Sequence, residues 1–349
     1  MKKLISAIFL ALTLSVFAKE VKIVFLETSD IHGRLFSYDY AVGEQKPNNG
    51  LTRIATLIKK QRAENQNVIL IDSGDLLQGN SAELFNDEPI HPLVRAENDL
   101  KFDIRVLGNH EFNFSKSFLE KNIKGFNGDV VNANIIKTAD NKPFVKPYVI
   151  KKIDSVRVAV VGYLVPHVPT WEASTPEHFE GLEFLSTKEA LEKTLKELNG
   201  KYDILIGAFH LGLEDEKGGD GIPDLAKKFP QFDIIFAGHE HAVYNTKIGK
   251  VHTIEPGAYG AYLAKGVVVF DTKTKKKPLR LKICPQKMCQ KMKNWRKNMN
   301  MWIKNQKNTL MKWLEKSQKP LLTGLILSQE RQKSPRCQPL HCKKPLLSH

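Results

Sequence analysis

Seven short runs rich in Val, Ile and Phe recur along the first 271 residues. They are VKIVFLE (from Val21), NVILID (from Asn67), FDIRVLG (from Phe102), VRVAVVGYLV (from Val156), YDILIGAF (from Tyr202), FDIIFAG (from Phe232) and AKGVVVFD (from Ala264). β-Branched and aromatic residues at this density predict strands. Several runs are apolar throughout rather than alternating, as expected of strands covered on both faces. Amphipathic helices separate them. In STKEALEKTLKELNG, Ser186 and Glu189 form a capping box, Leu191, Leu195 and Leu198 make one stripe, and Gly200 ends the helix. LTRIATLIKKQRAEN is another such helix. The alternation predicts an α/β fold, and about 255 residues suffice for one large domain with a buried core.

The apolar runs end in chemically similar residues. VKIVFLE leads into TSDIHG with Asp30 and His32, NVILID into SGDLLQG with Asp75, and FDIRVLG into NHEFN with Asn109 and His110. Later, YDILIGAF runs into His210, and FDIIFAG into His239 and His241. The carboxyl ends of strands are where open α/β sheets build their sites. Any one of these residues could be a cap or a turn former, and His167 in YLVPH is set aside as a chance match to the pattern. Five strand ends are not chance, and Gly33, Gly74, Gly108 and Gly238 allow tight turns beside them. Asp, Asn and His without Cys form an oxygen and nitrogen donor set suited to Mn, Zn, Fe or Co. The set exceeds the needs of one ion, which implies two divalent ions sharing a ligand. Such a pair supplies a nucleophile from water at neutral pH and neutralises charge on a phosphoryl group. The implied reaction is hydrolysis of a phosphate ester.

The two ends of the chain read differently. Residues 1–18 carry Lys2 and Lys3, an apolar run from Leu4 to Phe17 and Ala18 at a small-residue cleavage site, the pattern of a secretory signal peptide. The run is short for a spanning helix, so the expectation is a mature chain without a membrane span, periplasmic or secreted. The formal charge of +15 belongs to the other end. Residues 276–349 hold 19 Lys and Arg against 2 Glu, leaving 34 basic and 36 acidic residues in the body. Nucleic acid is therefore not an expected partner of the body. All four cysteines, Cys284, Cys289, Cys337 and Cys342, lie in this last part. Their spacing resembles a zinc site, but no patterned scaffold is evident to orient them. No sustained helical or strand period follows Lys276. The domain boundaries expected are 1–18 signal peptide, 19–275 catalytic domain and 276–349 basic tail. The tail would be unfolded, a basic binding segment, or the product of a slipped reading frame at Lys275 to Lys277.

SDIHG, SGDLLQG, GNHEFN, the strand before His210 and GHEH together resemble the calcineurin-like metallophosphoesterases. More narrowly they are similar to the exported branch that contains 5′-nucleotidases and 2′,3′-cyclic-nucleotide 2′-phosphodiesterase/3′-nucleotidases. The match spans Val21 to Asp271 and implies a four-layer α/β/β/α sandwich. It also implies that Asp30, His32 and His241 hold one ion, that Asn109, His210 and His239 hold the other, and that Asp75 bridges them. His110 would stand beside the phosphate and protonate the departing sugar oxygen, oriented by Asn113.

Many 5′-nucleotidases have an aspartate where this chain has Asn113. An amide can accept a hydrogen bond from the ring but brings no charge. The cyclic-phosphodiesterase branch resembles this chain in NHEFN, so the expected substrates are 2′,3′-cyclic nucleotides, acted on by a monomer. A 5′-nucleotidase or nucleotide-sugar hydrolase is the enzymatic alternative; an inactive truncated product or a tail-driven binding protein is the other. Members of the branch carry a further carboxyl-terminal domain that grips the nucleotide, and the residues after Lys275 do not resemble it.

Overall fold

A computed structural model describes residues 20–40, 42–214 and 221–285. The expected signal peptide and the chain beyond residue 285 lie outside the described residues. In chain order the strands are β1 (Glu20–Thr28), β2 (Tyr38–Asp39), β3 (Glu44–Gln45), β4 (Val68–Asp72), β5 (Ile104–Val106), β6 (Asp129–Val131), β7 (Ile135–Lys137) and β8 (Tyr148–Ile153). They continue with β9 (Val156–Leu164), β10 (Leu182–Phe184), β11 (Ile204–His210), β12 (Ile234–Ala237), β13 (Val243–Ile248), β14 (Val251–Pro256), β15 (Tyr262–Asp271) and β16 (Leu279–Pro285). The helices are α1 (Leu51–Glu64), α2 (Pro92–Leu100), α3 (Lys116–Gly125), α4 (Val168–Trp171), α5 (Thr187–Leu198) and α6 (Ile222–Lys228).

Two six-stranded mixed sheets form the centre. The first has the order β16-β15-β1-β4-β5-β6, with β1, β4, β5 and β6 parallel. The second has the order β13-β14-β12-β11-β9-β8, with β9, β11, β12 and β14 parallel. Their inner faces share one apolar core, to which Ile23, Phe25, Ile71 and Val106 come from the first sheet and Val158, Val160, Ile206 and Phe236 from the second. Phe25 and Phe236 meet there with ring centroids 6.4 Å apart. The intervening residues of β1, Val24 and Leu26, are equally buried on the opposite face, and α1 packs on that sheet at β15 while α6 packs on β12 and β13 of the other. This double burial is why the central strands read as unbroken apolar runs. The result is the four-layer sandwich.

The expected helix from Ser186 holds with one change. Ser186 caps α5 by accepting from the Glu189 N–H at 3.4 Å, but Leu195 is only partly buried, and Ala190 and Thr194 complete the inner face instead. Arg105, a charge in the middle of FDIRVLG, is buried against Glu97 of α2, its Nε donating to Oε2 at 2.8 Å. His91 caps α2 with both ring nitrogens engaged: Nδ1 accepts from the Leu93 N–H at 3.3 Å, and Nε2–H donates to the Ala82 carbonyl at 3.0 Å.

The reading of an unpatterned segment directly after Lys276 is corrected. Leu279, Leu281 and Ile283 alternate with Arg280, Lys282 and Cys284, and this short period-2 stretch forms β16, antiparallel to β15. Its three aliphatic side chains pack partly buried on the core. Lysine density hid an ordinary edge strand.

Candidate metal centre

The five strands β1, β4, β5, β11 and β12 release their carboxyl ends into one place. Two loops zip together first: the Asp30 N–H donates to the Gly74 carbonyl at 2.9 Å, the His32 N–H to the Asp75 carbonyl at 2.9 Å and the Gly33 N–H to the Leu76 carbonyl at 3.0 Å. Glu111, buried in the single turn after β5, clasps the same loop. Its Oε2 accepts from the N–H groups of Asp75 at 2.9 Å and Gly108 at 2.7 Å, and its Oε1 from Leu76 at 2.8 Å and Leu77 at 3.3 Å. Gly74 adopts φ of +101°, open to glycine. Gly108 serves space rather than conformation: a Cβ there would lie 2.2 Å from Asp75 Oδ1.

Backbone strain marks the site. Asp30, His32, Asp75, His239 and His241 all have left-handed φ, between +46° and +85°. Non-glycine residues enter this region at a cost, and they persist there where surrounding contacts hold them. These five side chains are thereby aimed back over the strand ends.

All eight polar residues of the strand ends are brought together. Three groups have donor atoms within 4.8 Å of one another and could hold a metal ion: Asp30, His32 and His241; His32, Asp75 and His110; Asp75, His210 and His239. His32 Nε2 lies 2.9 Å from His241 Nε2, and Asp30 Oδ1 is 3.5 Å from His241 Nε2. Asn109 Oδ1 lies 3.0 Å from His210 Nε2 and 2.9 Å from His239 Nδ1. Asp75 Oδ2 stands between the groups, 3.2 Å from His210 Nε2 and 3.7 Å from His32 Nε2. Its Oδ1 is engaged elsewhere, accepting from the His110 N–H at 2.8 Å. Of its two oxygens, a single one is free to face both sides.

The donor set fits cations. Two ligands about 2 Å from one ion at right angles are about 3 Å apart, which is the spacing found here. His210 Nδ1 lies 2.8 Å from the Ser73 carbonyl and His32 Nδ1 lies 3.1 Å from Gln78 Oε1. Those oxygens only accept, so each Nδ1 carries a proton and each Nε2 is the atom left to meet a cation. The Nε2 atoms of His32 and His241 face each other 2.9 Å apart, beside Asp30, where one cation can meet both.

Electrostatics follow from the crowding. Burial disfavours the Asp75 carboxylate, yet the charge of His210 outweighs it and holds the group well below the usual carboxylate range. Burial likewise opposes charging His210, but the Asp75 carboxylate pushes its pKa up to about 10. His239 moves the other way, down to about 4, through burial and the charge of His210. A cation entering here displaces the proton from His210.

His110 has Nε2 4.0 Å from Asp75 Oδ2 and Nδ1 2.5 Å from Asn113 Oδ1. His167 is in none of the three groups and meets Trp171 edge-on at 6.4 Å. Cys284 lies on β16 as a free thiol, and the other cysteines fall outside the described residues.

Sequence reasoning overlooked Glu111, Gln78 and two residues of the segment after β9. Trp171 stacks on His239, centroids 5.4 Å apart and planes at 10°. Glu172 Oε1 accepts from Asn113 Nδ2 at 2.6 Å. One signal was available: Trp171 is the only tryptophan in residues 1–275.

Similarity to known proteins points the same way. The model of the calcineurin-like phosphoesterase family matches residues 23–243. The chain is 32% identical over 298 residues to the trifunctional nucleotide phosphoesterase protein YfkN of Bacillus subtilis, covering 74% of this chain and 20% of that one. It is 28% identical over 247 residues to the 2′,3′-cyclic-nucleotide 2′-phosphodiesterase/3′-nucleotidase of Haemophilus influenzae, covering 65% and 37%. A crystal structure of the calcineurin-like phosphoesterase YfkN superposes with a TM-score of 0.69 at 28% identity, covering 77% of this chain and 92% of that one. The chain thus spans well under half the length of these curated relatives. With its four layers and its strand-end donor cluster, the chain belongs to the calcineurin-like phosphoesterase family.

Proposed function

We propose that this chain hydrolyses nucleotide phosphate esters at a centre of two divalent ions, with 2′,3′-cyclic nucleotides as the preferred substrates. In this reading Asp30, His32 and His241 hold one ion, Asn109, His210 and His239 hold the other, and Asp75 bridges them. The observation that carries it is the position of Asp75 Oδ2, 3.2 Å from His210 Nε2 and 3.7 Å from His32 Nε2. When bound, the ions activate water and offset the charge of the phosphoryl group.

The chain's own groups do the rest. Glu111 and the left-handed ligand residues fix the donors before substrate arrives, which limits reorganisation during reaction. His110 is the substrate-side group, its Nδ1 tied to Asn113 and its Nε2 turned toward Asp75. In its charged form the ring hydrogen-bonds the phosphoryl oxygens, then passes its Nε2 proton to the departing sugar oxygen and is left neutral. The preference for cyclic substrates rests on Asn113 and is supported by the resemblance to the Haemophilus enzyme. The reaction is assigned to the periplasm or the exterior by the leader-like pattern of residues 1–18. None of the helices among the described residues is long and apolar enough to cross a membrane.

The test is hydrolysis of 2′,3′-cyclic AMP, 3′-AMP and 5′-AMP by the full chain supplied with Mn or Zn. A higher kcat/KM on the cyclic diester is expected. A preference for 5′-AMP contradicts the substrate assignment, and equal rates with and without chelator contradict the metal centre.

A further inference from the structure

An asparagine beside a catalytic imidazole has a weakness that an aspartate lacks. Its two ends are nearly the same size, yet one accepts and the other donates. With Oδ1 toward His110, the neutral ring keeps its proton on Nδ1, and the proton that comes and goes sits on Nε2, the atom facing Asp75. With the amide reversed, the NH2 end faces Nδ1 and the ring must hold its proton on Nε2 instead. Something has to choose.

We propose that Glu172 is a positioning residue for His110 that acts through Asn113, selecting the amide orientation and with it the tautomer of the ring. Glu172 Oε1 lies 2.6 Å from Asn113 Nδ2, and Asn113 Oδ1 lies 2.5 Å from His110 Nδ1. A carboxylate oxygen only accepts, so the NH2 end must face Glu172 and the carbonyl end must face the ring. Glu172 is itself held: its N–H donates to the Val168 carbonyl at 3.0 Å as the C-terminal cap of α4, and its carbonyl accepts from the Thr175 N–H at 3.0 Å. The preceding residue, Trp171, stacks on His239, so this turn is anchored beside the site on two sides. The same geometry explains the residue at position 113. An aspartate there would set two carboxylates 2.6 Å apart, whereas an amide joins them. The proposal rests on the role given to His110 above.

The variants are Glu172→Ala, Glu172→Gln, Asn113→Asp and the double variant Asn113→Asp/Glu172→Ala, in the full zinc-loaded chain. Two readouts apply: kcat and KM on 2′,3′-cyclic AMP, and the 15N chemical shifts of His110 at alkaline pH, which report the tautomer directly. Losing one orienting hydrogen bond, Glu172→Ala should lower kcat about tenfold with KM little changed and shift His110 toward the Nε2–H tautomer. Glu172→Gln can accept from or donate to Asn113, so it no longer selects one orientation and should recover kcat and the tautomer only in part. Asn113→Asp alone should be impaired by Glu172, and removing Glu172 in that background should recover activity. The proposal is overturned if Glu172→Ala leaves the tautomer unchanged, or if the double variant is no better than Asn113→Asp, which would make Glu172 a support for α4 only. If His110→Ala turns over normally, the role of His110 fails, while the 15N shifts still decide what Glu172 does.

Discussion

Asp75, in the loop after β4 of the first sheet, and His210, the last residue of β11 in the second, meet with Oδ2 3.2 Å from Nε2. Neither residue reaches the other without both sheets in place. The site is therefore a property of the assembled fold, and variants that loosen the strand ends should release metal before they unfold the core.

Glu111→Gln is the sharpest case. Each carboxylate oxygen accepts two backbone N–H groups, so whichever end becomes NH2 confronts two donors. Two buried N–H groups left without partners cost roughly 3 kcal/mol together. Urea unfolding of the ion-free variant should show that loss, and metal retention after gel filtration should fall with it. Unchanged stability would mean that Glu111 does not clasp the loops.

His110→Ala should behave oppositely. It removes a side chain that lies 35% exposed at the mouth of the site, and the His110 N–H to Asp75 Oδ1 remains available from the backbone. Bound metal should stay near that of the unaltered chain, while kcat drops by about 100-fold, the usual worth of a general acid. A metal-free variant would make His110 a ligand.

Acid stability should carry the signature of His91, the N-cap of α2. Burial pushes the His91 pKa down from 6.5 to about 4, with the Arg105 charge adding to it against the Ala82 hydrogen bond. The folded value lies below the unfolded one, so this contribution is complete above pH 6.5 and disappears as pH falls through about 4. It amounts to roughly 3 kcal/mol at most. In His91→Asn, which can still cap but does not titrate, unfolding free energy measured across that window should flatten. An identical slope would assign the acid sensitivity elsewhere.

The edge strand gives a test of where the fold ends. Chains stopping at residue 285 and at residue 275 differ by β16, and with it by Lys277, whose Nζ lies 2.6 Å from Asp233 Oδ2. Partial burial of Leu279, Leu281 and Ile283 stabilises by roughly 1 kcal/mol each. The shorter chain should unfold at lower urea by about that sum. Equal midpoints would make β16 dispensable.

The strands and the polar groups behind them were legible because both are set by residue type. A strand buried on two faces needs apolar residues at every position, and an oxygen and nitrogen donor site needs Asp, Asn and His. The groups that hold those donors in place were not legible. The role of Glu111 shows only once its four backbone partners are seen, and nothing in the identities of Asp30 or His241 announces a left-handed backbone. Glu172 is 59 positions from Asn113, a separation that only the β9–α4 turn closes. β16 did alternate properly, but for seven residues inside a lysine-rich stretch, too short to stand out.

Asp75 is the ligand that the proposed centre shares between its two ions, and metal stoichiometry reads that sharing directly. Full chain loaded with Mn or Zn and freed of excess should contain two ions, and Asp75→Asn should lose occupancy at both positions together. One ion in the unaltered chain, or an Asp75→Asn variant that keeps one site full, would contradict it.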